Sequence, residues 1–313
     1  MSASLEAQAR QTIARGSRSF AVASRLFDAR TRRGATLLYL WCRHCDDVVD
    51  GQTLGHGQDA ALRGDGERSL RQLRICTAQA CHGAEVDEPP FAALQEVVTD
   101  FQIPACYPSE HLDGFAMDVA GRRYLTLRDT LDYCYHVAGV VGIMMTHIMG
   151  ARDPDVLDRA CDLGLAFQLT NIARDLVEDA GAGRCYVPEA WLAEAGLTPE
   201  TLAAAENRDA LAVIAARLVD TAEDYYASAR LGIAALPPRS AWAVATAHDV
   251  YRAIGLKVKA SGPRAWDQRV STSTIQKLQM LGGGAALAYR SRGGRAAVGR
   301  RPRGLWQRPV QTD

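Results

Sequence analysis

Two acidic clusters, Asp46-Asp47-Val48-Val49-Asp50 and Asp175-Leu176-Val177-Glu178-Asp179, each sit inside an otherwise apolar helical pattern. Both carry aspartates at i and i+4, which puts Asp46 with Asp50, and Asp175 with Asp179, on single helix faces. Like charges one turn apart repel. Both clusters also fall at the C-terminal ends of their helical patterns, where the helix macrodipole disfavours negative charge. A bound cation offsets both costs, so the sequence predicts two metal-binding ledges on helices.

Helical periodicity with polar breaks fits most of the chain, and sustained period-2 alternation is absent, which predicts an all-α protein. The expected helices cover roughly 4–23, 29–50, 67–82, 91–102, 109–121, 128–150, 153–180, 199–235 with interruptions, 239–261 and 271–290. Gly51 to Gly66, with five glycines, reads as a loop directly after the first acidic cluster, and Gly181-Ala182-Gly183 ends the helix of the second. No linker divides residues 1–290, so one catalytic-size domain is expected there, followed by a basic, flexible tail over 291–313.

With 313 residues, 48% of them hydrophobic, the chain can bury a large core and is not disordered. Its formal charge of zero hides an asymmetry: residues 268–312 contain no Asp or Glu and nine basic residues. The arginine-rich tail, with Leu305 and Trp306, reads either as a solvated tail or as a contact to anionic lipid, where each basic residue contributes about 1 kcal/mol. Nothing in the sequence points to nucleic acid. Eight cysteines lack framework spacing, and the N-terminus carries Glu6, Arg10 and Arg15 in place of an apolar signal run, so a reducing cytoplasmic setting is expected. Cys42-Arg43-His44-Cys45 matches C-x-x-C but has no second pair at zinc spacing. Tyr133 to Ala151 runs 19 residues without Asp, Glu, Lys or Arg, yet His136, His147, Thr146 and three glycines suit a buried central helix better than lipid.

At 100° per residue Tyr39, Arg43, Asp46 and Asp50 fall within about 60° of arc, and Gly164, Gln168, Asn171, Asp175 and Asp179 within about 80°, with Arg174 at the flank. Two polar stripes can therefore face inward together. Between them, Val137 to Met145 and Leu163 to Phe167 would line a greasy cavity. Magnesium takes only one or two carboxylates and completes its octahedron with water and phosphate oxygens. Without metal, a carboxylate and a diphosphate oxygen about 4 Å apart repel by roughly 4 kcal/mol at an effective dielectric of about 20. The substrate is thus expected to be a diphosphate, with Mg²⁺ (or Mn²⁺) held by Asp46, Asp50, Asp175 and Asp179. Asp47 and Glu178 are secondary metal candidates. Arg43 and Arg174 can add bidentate contacts to the diphosphate. Tyr39, Tyr133, Tyr186 and Tyr251 read equally well as ordinary core aromatics, and His136 and His147 as core histidines.

These residues resemble the squalene/phytoene synthase family of head-to-head prenyl synthases, in its bacterial branch. The resemblance rests on Ser17-Arg18-Ser19-Phe20, Tyr39 to Asp50, Tyr133 to Gly142, Phe167 to Asp179, Gly183-Arg184-Cys185-Tyr186-Val187-Pro188 and Ala265-Trp266-Asp267-Gln268-Arg269. It implies an isoprenoid synthase fold, a single helical bundle around a hydrophobic cavity. It further implies that two geranylgeranyl diphosphates are joined through a cyclopropyl prephytoene diphosphate into phytoene, with no NADPH. On the matching positions, Asp46, Asp50, Asp175 and Asp179 would hold Mg²⁺ with Asn171 assisting, and Ser17, Arg18 and Phe20 would form a flap over the diphosphates. Tyr39, Arg43, Arg174, Tyr186 and Tyr251 would act on the substrate or intermediate, and Tyr133, Val137, Val141, Gly142, Gly164, Gln168 and Asn171 would bind it.

Two rivals stand beside that expectation. One is the same chemistry on farnesyl diphosphate, giving dehydrosqualene or squalene, from which cavity length would separate it. The other is a non-catalytic assembly relative, which would have no need for both acidic ledges.

Overall fold

The computed structural model describes residues 23–50, 66–270 and 299–309 together with Leu5, Ala9, Gln11, Thr12 and Gly282; the side chain of Asp50 lies outside this set. The described residues are helical, with turns and loops between. In chain order they form α1 (Ala29–Asp50), α2 (Gly66–Cys81), α3 (Pro89–Phe101), α4 (Cys106–Val119) and α5 (Leu127–Cys134). A π-helical turn (Tyr135–Gly139), α6 (Val140–Ile148), α7 (Pro154–Gly181), α8 (Glu189–Glu194), α9 (Arg208–Ile233) and α10 (Pro238–Ser261) follow. The expected first and last helices, near 4–23 and 271–290, fall almost wholly outside the described residues.

Local chemistry accounts for the boundaries. Thr126 caps α5 in a reciprocal capping box with Asp129, and Asp153 caps α7 with Pro154 at its first position. The stretch expected as one helix over 128–150 is instead α5, the π turn and α6. A π turn adds a residue to the helical ladder and rotates everything after it, so it re-aims Val137 and Val141 relative to a continuous α-helix. Among the described residues no helix is long and apolar enough to cross a membrane.

α7 is the central element, packed against α9, α6, the π turn, α10 and α5. Its approach to the π turn and α6 is a backbone-to-backbone contact. A Cβ on Gly164 would lie 2.4 Å from the carbonyl oxygen of Ala138, and one on Gly142 would lie 2.5 Å from that of Ala160. Neither oxygen can move aside, so both positions require glycine. α1 lies across this pair, in contact with α3, α2, α4 and α6.

The tail expected to be free is packed against the bundle over residues 299–309. Arg301 forks onto the fully buried Asp162 (Nε to Oδ2 3.0 Å, Nη2 to Oδ1 2.5 Å), which also accepts from Ser228 Oγ at 2.6 Å. Trp306 donates its indole N–H to Asp132 (2.6 Å) and its backbone N–H to the Tyr225 hydroxyl (3.0 Å), and its ring lies 5.1 Å from that of Tyr135. Arg308 pairs with Asp158 at 2.6 Å. Leu305 and Trp306 are therefore engaged with the protein's own core. The terminal residues 310–313 and the stretch 283–298 lie outside the described set.

All eight cysteines are free thiols, and burial pushes those of Cys42 and Cys45 upward, which leaves the C-x-x-C pair an inert part of the core. His147 occupies a core position and His136 is half-buried, its Nδ1 on the Glu110 carbonyl (2.8 Å); His111, which the pattern alone did not single out, is also buried. Neutral His111 donates from Nδ1 to the carbonyl of His136 (3.0 Å) and packs against Trp41 and Phe115.

Burial pushes His111 down to about 4. The unfolded imidazole, near 6.5, binds a proton more readily than the folded one, so this group's contribution is present above about pH 6.5 and is lost as pH falls toward 4. The loss should be on the order of 3 kcal/mol. Denaturant titrations between pH 7 and 4 should show that slope in the wild type and a clearly shallower one in His111→Phe; equal slopes would rule out this origin.

Candidate active site

The first ledge is the last turn of α1. Arg43 projects from the preceding turn and clamps two carboxylates of its own helix, Asp47 through Nε and Nη2 (3.0 and 2.6 Å) and Asp46 through Nη1 (2.7 Å). Part of the charge problem posed by the sequence is thus met by a guanidinium, and Asp47 is an ion-pair partner as much as a metal candidate. Tyr39, one turn earlier, is pushed up to about 12 by burial, with Arg43 pulling the other way. It therefore stays a neutral phenol.

The second ledge is the last two turns of α7. Arg174 holds Asp175 through both Nε (2.8 Å) and Nη2, and Arg269 approaches Asp175 (3.6 Å) and Glu178 (3.3 Å). Glu178 is exposed and points to this rim. Asp179 is different. Burial, reinforced by the charge of Asp175, pushes its carboxyl up to about 7, while Arg184 draws it down. A carboxyl held between its two protonation states by burial and a neighbouring carboxylate is one that a divalent cation would stabilise as the anion. Among the described residues no three ligating groups close on a single point.

A cavity of about 370 Å³ runs along α7 as far as Asn171, one turn before Asp175; Tyr39, Arg43, Asp46, Arg174, Asp175 and Asp179 are not among its lining residues. Val137, Val141, Gly142, Gly164, Gln168, Asn171 and Tyr251 all line it. On α7 the lining residues Val156, Ala160, Leu163, Gly164, Phe167, Gln168 and Asn171 repeat at helical spacing, one face of one helix. From Val156 to Asn171 that face spans about 22 Å. The end near Val156 is closed by Phe27, Met149, Ile233 and Leu236, all buried. The other end carries the polar groups of Gln168 and Asn171, where Phe167 and Tyr251 stack at 4.3 Å between ring centroids.

Tyr133 and Tyr186, by contrast, do not line the cavity. They stack on each other at 4.5 Å and both donate to Asp118 at the end of α4, at 3.2 and 2.9 Å. Burial, followed by the charge of Asp118, pushes both phenols upward. Asp118 also acts on Asp179, raising it further. Through Asp118 this tyrosine pair is coupled electrostatically to the second ledge. Sequence reasoning missed Asp118, because it has no i,i+4 acidic partner and its tyrosines lie 15 and 68 residues away. Ser17, Arg18, Phe20 and the Asp50 side chain lie outside the described residues.

A helical bundle with an apolar cavity along its central helix and acid-and-arginine clusters at the ends of α1 and α7 has the architecture of an isoprenoid synthase. The sequence pattern of the squalene/phytoene synthase family matches residues 13–276. The chain belongs to that family. It is 57% identical over 302 residues to the phytoene synthase of Pseudescherichia vulneris, covering 96% of this chain and 97% of the relative. It is 59% identical over 295 residues to the 15-cis-phytoene synthase of Enterobacter agglomerans, covering 94% and 99%. In structure it is similar to a dehydrosqualene synthase solved with a ligand, with a TM-score of 0.82, 26% identity, and 92% and 98% of the two chains covered. Squalene synthase HpnC from Alicyclobacillus acidocaldarius shares the fold, with a TM-score of 0.71 at 24% identity over 83% of this chain and 94% of that one.

If Asp118 braces the ledge through its two tyrosines, Asp118→Asn should lower kcat at least tenfold while leaving the fold intact. Tyr186→Phe should show a smaller loss in the same direction, measured by product formation alongside thermal unfolding. Unchanged kcat in both would leave this cluster a purely structural one.

Proposed function

We propose that this chain joins two geranylgeranyl diphosphates head to head, through a cyclopropyl prephytoene diphosphate, to form phytoene and release both diphosphates. The observation that carries the choice of substrate is the depth of the cavity. A geranylgeranyl tail, with a methyl-branched main chain of sixteen carbons and bonds of about 1.5 Å, extends roughly 19 Å, and a farnesyl tail, with twelve, roughly 14 Å. The lined face of about 22 Å takes the former with little space left over, whereas the latter would leave the blind end empty. The identity to phytoene synthases over nearly the whole chain supports the same reading.

Asp46, Asp175 and Asp179 would hold Mg²⁺ or Mn²⁺, with Asn171 beside them and Asp50 from the other half of the first cluster. When bound, such a cation neutralises diphosphate charge and assists departure of the leaving group. The chain's own residues do the rest. Arg43 and Arg174, already oriented at the ledges, can turn toward diphosphate oxygens with no change of helix position. Gln168 and Asn171 separate the wet end from the dry one. The stacked rings of Phe167 and Tyr251 lie where the allylic carbons would sit, and an aromatic face steadies a carbocation by cation–π attraction. The closed apolar wall excludes water, which would otherwise capture that cation as an alcohol.

Two ionisations are required, each followed by proton loss. Burial keeps Tyr39, Tyr186 and Tyr251 as neutral phenols. A neutral phenol is a poor proton acceptor, so released diphosphate is the better base. No reductant enters this sequence of steps.

Incubation with geranylgeranyl diphosphate and Mg²⁺, with and without NADPH, should give phytoene at equal rates, and farnesyl diphosphate should be turned over at least tenfold less efficiently. Equal or better turnover of farnesyl diphosphate would sink the choice of substrate. Mg²⁺ should also raise the Tm of the wild type by several degrees. Asp46→Asn and Asp179→Asn should each lose most of that rise and at least a hundredfold in kcat. Full activity in Asp46→Asn would refute the role of the first ledge.

A further inference from the structure

One charged side chain, Arg159, is found among the described residues that line the cavity, and it stands toward the blind end. It is only 3% exposed. Its Nη2 donates to the carbonyl of Gly299 at 2.6 Å, while Nε and Nη1 are buried with no hydrogen-bond partner among the described residues. Unpartnered guanidinium N–H groups beside hydrocarbon are unfavourable, and an arginine with a free choice would turn to a carboxylate. On the same helix face the carboxylates are Asp162 at i+3, which is buried, and Asp155 at i−4, which is exposed. Arg301 occupies Asp162 with two hydrogen bonds, and Ser228 with a third. The neighbouring Asp158 is likewise taken by Arg308. Residues 299–309 therefore take up the buried Asp162 and the neighbouring Asp158, and offer Arg159 a single backbone carbonyl in exchange.

The placement is also built from the other side. A Cβ on Gly232 would lie 2.5 Å from Cβ of Arg159 and 2.8 Å from its Cγ, so α9 has glycine at the point where the arginine stem passes. Along α7, Arg159 lies sixteen residues before Asp175, about 24 Å from the second ledge. Allowing roughly 5 Å for the diphosphate, a sixteen-carbon tail anchored at that ledge ends at about this depth. A longer tail would run into the guanidinium.

We propose that residues 299–309 form a strap that holds Arg159 against the blind end of the cavity and so sets the longest prenyl tail the enzyme accepts. Arg159 is the specificity-determining residue, and Arg301 is a positioning residue that acts by keeping Asp162 away from it. Release of Arg301 lets Arg159 swing to Asp162, and the cavity deepens. This inference rests on the prenyl diphosphate reading for its ligand and on the strap contacts for its mechanism.

The test is a binding ladder on the full-length protein, read by calorimetry with the thiodiphosphate analogues of C15, C20 and C25 prenyl chains, repeated with the corresponding neutral prenyl alcohols. In the wild type, affinity should rise from C15 to C20 and fall at C25. Arg159→Ala and Arg301→Gln should each raise the C25 to C20 affinity ratio about tenfold and leave C15 binding within twofold, and the double variant should exceed neither single one. Arg159→Met, which keeps the stem volume, covers the case in which Arg159→Ala fails to fold. An unchanged ratio in both ladders, or a uniform weakening at all lengths together with a lower Tm, would overturn the proposal and leave the strap a stabilising element only. Binding of alcohols but not thiodiphosphates would instead refute the diphosphate reading while still measuring the depth of the cavity.

Discussion

The approach of the α7 backbone to the π turn and α6 governs the rest of the molecule. Gly164 lies under the carbonyl of Ala138 and Gly142 under that of Ala160, so two helical segments meet with no side chains between them. That contact brings the Val137–Val141 face and the α7 face together as adjoining walls of one cavity. It also fixes where the C-terminal end of α7 lies, and with it Asp175 and Asp179. A methyl group at either glycine would part the walls at the place where the substrate tail has to be gripped.

Charge is arranged along the same axis. At the wet end Arg43 and Arg174 are paired with carboxylates of their own helices, so each ledge carries a neutralising guanidinium beside its acids. Asp179, pushed up by burial and Asp175, is the carboxyl that such pairing leaves least compensated. At the dry end Arg159 is held by a segment from the far end of the chain. The cavity is thus graded from polar to apolar along most of its length and ends on a single buried charge.

Much of this was legible in the sequence, for reasons of period and proximity. The bounds of α1 and α7 came within a residue of the expected ones, because long unbroken helical stretches with Pro154 at one start and glycine at the ends leave little ambiguity. The cavity-lining set from Val137 to Asn171 was legible because it lies on two nearly consecutive segments with clear helical faces. Asp118 was not, since its tyrosine partners come from α5 and the loop after α7. The packed strap was not legible either. A run of arginines, glycines and prolines carries no apolar pattern of its own, and its order comes from Asp158, Asp162 and Asp132, more than 130 residues away.

The sequence by itself determined the all-helical class, the two acidic ledges and the family, because i,i+4 spacing and local motifs act within one or two turns of chain. The tertiary structure decided how deep the cavity is, that Tyr133 and Tyr186 face Asp118 instead of the cavity, and that the basic tail turns inward over residues 299–309. Those outcomes depend on which distant carboxylates and carbonyls come within hydrogen-bonding reach once the backbone of α7 has closed on the π turn, and no local pattern encodes that distance.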